Sequence, residues 1–66
     1  MKITANSKQY EIAENTTVAA FIESTGVKAA RCVVELNGAA MRYDAFADIV
    51  LREGDRLEIM QIVAGG

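Results

Sequence analysis

The chain has 66 residues, a net charge of −2 at pH 7 and an apolar content of 52%. A domain this small buries only about 60% of its unfolded surface and usually borrows stability from disulfides, metals or oligomerisation; with one cysteine and no histidine, an internal disulfide framework and a Cys/His zinc site are excluded. The acidic balance argues against nucleic acid, which demands a basic surface, and no apolar run approaches the ~18 residues of a membrane span. Met1-Lys2-Ile3-Thr4 opens directly in strand-like sequence with no secretory apolar region, so the expectation is one domain over residues 1–66, cytoplasmic, with a reduced thiol.

In chain order, Met1 to Ala5 reads as a strand with Ile3 inward. Asn6-Ser7-Lys8 reads as a turn, and Gln9 to Ile12 as a second strand with Tyr10 and Ile12 on one face, closing an N-terminal hairpin. Thr17 is the expected N-cap of a helix over Val18 to Thr25, whose Val18, Phe21 and Ile22 fall at i, i+3 and i+4 on one apolar face; Gly26 fits the left-handed residue that ends it. Arg31 to Leu36 is the strongest strand pattern, with Val34 and Leu36 on one face and Val33 and Glu35 on the other. Asn37-Gly38 is a hairpin signal, with Ala39 to Met41 as a short return strand. Tyr43 to Leu51 is ambiguous: Tyr43, Phe46, Ile49 and Val50 fit a short helical turn packed on the core. Glu53-Gly54-Asp55 is a turn, and Arg56 to Val63 a final strand.

That last strand carries the first functional expectation. With Leu57 and Ile59 inward, Glu58, Met60 and Ile62 fall on the opposite face. Two apolar side chains there form a candidate docking surface for a partner, for which methionine is well suited. Glu53, Asp55 and Glu58 make an acidic group that either is a solvated turn or steers a basic partner. Cys32 reads as an ordinary small apolar strand residue.

Beyond the strand come Ala64, Gly65 and Gly66, with almost no side-chain bulk. They reach about 10 Å at ~3.3 Å per extended residue, and glycine permits backbone approach where a Cβ would clash. Such a tail can enter a narrow channel and present a terminal carboxylate as the reacting group. No Ser/His/Asp constellation, phosphate-binding loop or dinucleotide fingerprint accompanies it.

From Asn37-Gly38 through Val50-Leu51-Arg52-Glu53-Gly54-Asp55-Arg56-Leu57-Glu58-Ile59 to Met60-Gln61-Ile62-Val63-Ala64-Gly65-Gly66, the chain resembles the small sulfur-carrier proteins of thiamin biosynthesis. The capped helix start Thr16-Thr17-Val18 and the length also fit. One departure is visible: where that family commonly has a Pro-Arg pair before an aromatic residue, this chain has Arg42-Tyr43, then Phe46. The resemblance, together with the element order, implies an α+β ubiquitin-like β-grasp fold. It has a mixed sheet of about five strands, the first and last as parallel central neighbours, and one main helix across one face. It further implies a carrier cycle and no bound cofactor. An E1-like adenylyltransferase uses ATP to activate the carboxylate of Gly66, and a sulfur donor such as a cysteine desulfurase leads to a thiocarboxylate. A thiazole synthase then takes the sulfur. On this reading the chain is a protein cosubstrate and no enzyme.

Three other readings share parts of this pattern. The small subunit of molybdopterin synthase has the same fold and tail but stays with a large catalytic subunit. A non-covalent ubiquitin-like interaction module would use the strand face alone, and a conjugated modifier would join Gly66 to a lysine.

Overall fold

The computed structural model describes residues 1–62. Strands β1 (Lys2–Ala5) and β2 (Lys8–Glu11) form the first hairpin, paired antiparallel with Ile3 opposite Tyr10. The turn is tighter than the sequence suggests: Lys8 already belongs to β2, and Asn6 and Ser7 alone reverse the chain with φ of 49° and 70°. Two successive positive φ values define the turn whose twist matches a hairpin. Helix α1 (Val18–Ser24) follows, and the Thr17 hydroxyl accepts a 3.0 Å hydrogen bond from the Ala20 amide as its N-cap. Gly26, at φ +86°, ends it, its amide donating to the Glu23 carbonyl.

Strand β3 (Cys32–Leu36) is preceded by a single 3-10 turn at Ala29–Arg31. Asn37-Gly38, both at positive φ, leads into β4 (Ala39–Met41). The final strand, β5, runs Arg56–Gln61; its expected last residue, Val63, lies outside the described residues. The five strands lie in the order β2-β1-β5-β3-β4. Only β1 and β5 are parallel, with Thr4 beside Arg56 and Ala5 beside Leu57. A parallel pair needs a long crossover, and here nearly the whole chain supplies it. This is the ubiquitin-like β-grasp arrangement.

One face of the sheet is covered by α1. Val18 and Ile22 are fully buried against Ile3, Val34 and Leu57. The ambiguous segment between β4 and β5 closes the end of this core without a regular helix. A 3-10 turn spans Tyr43–Ala45, and Phe46 is 1% exposed. The Phe46 carbonyl accepts from the Ala19 amide, and Val50 bridges to Thr17. Of the four residues expected to pack inward, only Phe46 is buried and Ile49 half-buried. Tyr43 and Val50 are exposed, Tyr43 lying edge-on to the Phe46 ring at 5.5 Å. A single 3-10 turn cannot hold four side chains on one side as an α-helical face would.

Candidate functional site

The open face of the sheet is built by β3 and β5 together. Their register sets Val33 opposite Met60 and Glu35 opposite Glu58. One step further, the Ile62 amide donates to the Arg31 carbonyl at 2.7 Å. Side chains at these positions point away from α1, because Val34, Leu57 and Ile59 take the inner positions. Met60 is 60% exposed, Ile62 57% and Val33 40%. The result is an apolar strip of Val33, Met60 and Ile62 that ends where the chain runs on to residues 63–66.

Glu35 and Glu58 sit directly across from each other at the other end of this strip. Like charges opposed across a ladder are unfavourable, and among the described residues neither joins an ion pair. Glu53 and Asp55 serve otherwise. The Glu53 carboxylate accepts from the Lys2 amide at 3.0 Å, and that of Asp55 accepts from the Arg52 amide and the Asn37 side chain. They hold the turn before β5, so Glu58 alone of the three acidic residues belongs to the open face. Val33 and Glu35 join it only through the β3–β5 register, although their shared face was visible in the alternation of β3.

Cys32 is 7% exposed, on the inner face, and its Sγ donates to the Lys28 carbonyl at 3.4 Å. Burial, with a smaller contribution from the charge of Glu23, pushes its thiol above the ordinary value. A nucleophilic thiol needs the reverse, a lowered pKa and exposure. Ala64, Gly65 and Gly66, the expected tail, lie outside the described residues.

One contact has no local sequence signal. Asn6 lies at the end of β1, and its side chain takes over from the backbone there. Its Nδ2 donates to the Ile59 carbonyl at 3.0 Å, and its Oδ1 accepts from the Ile59 amide at 2.8 Å. A carboxamide thus stands in for one more peptide of β1 and carries the ladder one step along β5.

A five-stranded β-grasp sheet covered on one face by a helix and open on the other defines the ubiquitin-like fold class. Within that class, the family model "ThiS family" matches residues 1–66, and the chain belongs to this family. It is 30% identical to a thiamine biosynthesis protein (ThiS) from Geobacter metallireducens, whose crystal structure superposes with a TM-score of 0.82 over all of both chains. A solution structure of a thiamine biosynthesis protein from the same organism gives 0.79 at 29% identity, covering this whole chain and 88% of that one. The chain is also 29% identical, over its full length, to a thiazole synthase of Paramagnetospirillum magneticum. It spans only 20% of that protein.

Proposed function

We propose that this chain is a sulfur carrier in thiamin biosynthesis. Its working group is the carboxylate of Gly66, ionised at neutral pH as a free α-carboxyl. A carboxylate is a poor electrophile. Attack of its oxygen on the α-phosphorus of ATP, in an E1-like adenylyltransferase, releases pyrophosphate and leaves an acyl-adenylate. The outer sulfur of a persulfide on a donor such as a cysteine desulfurase displaces AMP to give an acyl disulfide. A second thiol cleaves its S–S bond, leaving a disulfide on the donor side and the thiocarboxylate on Gly66, which gives its sulfur to a thiazole synthase. Ala64 and Gly65 keep the approach slim, while Met60, Ile62 and Glu58, joined by Val33 and Glu35, dock the partners.

The observation that carries this reading is family membership along the whole chain. The exposed strip leading to the terminus supports the docking role. The inner position of Cys32 supports a carrier whose chemistry is main-chain. The match to a thiazole synthase favours the thiamin pathway over molybdopterin synthesis.

Appending one alanine after Gly66 tests the proposal. Sulfur loading should be lost while the fold and non-covalent partner binding remain. Loading at an unchanged rate would reject the carboxylate of Gly66 as the working group.

A further inference from the structure

The backbone of β5 alternates between its two neighbours. Arg56 and Ile62 turn their peptide groups to the β3 side, where the Arg56 carbonyl accepts from Asn37 and the Ile62 amide donates to Arg31. Leu57 and Ile59 turn theirs to the β1 side, and Asn6 satisfies both, through its amide at Leu57 and its side chain at Ile59. Gln61 is next on that side, where β1 has already ended at Ala5. Among the described residues nothing pairs with its amide and carbonyl, which form an open piece of sheet edge.

Beside this edge, on the α1 side of the sheet, lies a groove of ≈ 250 Å³ whose walls include Asn6, Phe21, Thr25, Val27, Ile59 and Gln61. It occupies the place where inward side chains would sit if β1 continued past Asn6. Such an edge asks for another main chain, and the groove beneath asks for an apolar side chain on alternate positions of it.

We propose that Gln61 is a strand-addition site: an extended segment of the thiazole synthase pairs with its amide and carbonyl and places one aliphatic or aromatic side chain in the groove. The inference rests on the carrier reading above. The occupant follows from reach. Gly66 is five residues beyond Gln61, about 17 Å when extended, so an enzyme that holds Gly66 at its reacting centre must lie against this end of the sheet. The match of this chain to part of a thiazole synthase selects that enzyme among those handling the terminus.

The test is residue-resolved amide exchange of the whole chain, free and with the host's thiazole synthase. In the free chain Gln61 should exchange faster than Met60 and Ile62, which face β3; in the complex it should slow at least tenfold. Thr25→Trp, an exposed position on the groove wall, should leave the fold intact and weaken binding at least tenfold. Binding with Gln61 exchange unchanged would overturn strand addition and leave the carrier reading standing. Protection by the adenylating enzyme alone, or by a second copy of this chain, would overturn the choice of occupant. Absence of binding together with absence of sulfur loading would overturn both.

Discussion

Asn6 and Ser7 show how much a small sheet can hang on two side chains. Asn6 sits at φ 49°, a region asparagine tolerates better than most residues, and from there it makes two bonds to Ile59. Asn6→Gly should keep the turn and cost about 1–3 kcal/mol through the unmade bonds. Asn6→Ala should cost about 1 kcal/mol more for the left-handed backbone. Ser7, at φ 70°, pays that backbone cost without such a return, so Ser7→Gly should stabilise the chain by about 0.5–1 kcal/mol. Chemical denaturation of the three variants checks the order. Cys32 offers a pH signature. Its thiol holds its proton more tightly folded than unfolded, so the fold binds more protons than the unfolded chain above the ordinary thiol range. Stability must then fall as pH rises through that range towards the raised folded value. Cys32→Ala should flatten this alkaline slope and leave sulfur loading unchanged; lost loading would show that the thiol takes part.

Among the elements, β5 joins both halves of the molecule, with Leu57 in the core and Met60 outside. Met60→Glu should therefore fold normally and weaken partner binding by roughly tenfold or more, since covering an exposed methionine contributes about 1 kcal/mol or more and 1.4 kcal/mol is a factor of ten. Loss of the fold would instead place Met60 in the core. Glu35→Gln removes the repulsion across from Glu58, so the fold should become at least as stable while association with a basic partner slows. The segment from Tyr43 to Leu51 contrasts with β5. Phe46 and Leu51 are its fully enclosed large side chains, and Phe46→Ala should cost about 3–5 kcal/mol. Against a total of about 3–10 kcal/mol for 66 residues, a circular-dichroism melt should show a midpoint lowered by about 12 °C or more.

For the molecule as a whole, what could be read from sequence divides by distance along the chain. The Asn37-Gly38 hairpin, the Thr17 cap and the Gly26 stop are local chemistry, and each stands where its residues require it. The outward face of β5 followed from alternation alone. The 3-10 turn at Tyr43–Ala45 was less legible because it has too few residues to show a period. The bonds of Asn6 to a residue 53 positions away have no local pattern, and the pairing of Glu35 with Glu58 exists only once β3 and β5 are in register. That register makes one open face out of two strands, and, if partners dock there as proposed, its acidic end should make association with a basic partner salt-dependent. Stopped-flow association rates should fall between low and physiological ionic strength; salt-independent rates would leave the acidic pair without a steering role.

The carrier account is tested most directly by the intact mass of the chain after incubation with ATP, a sulfur source and an extract of its host. The account predicts a gain equal to exchange of one oxygen for sulfur, located at Gly66. An unchanged mass, in an extract that loads another sulfur carrier, would contradict it.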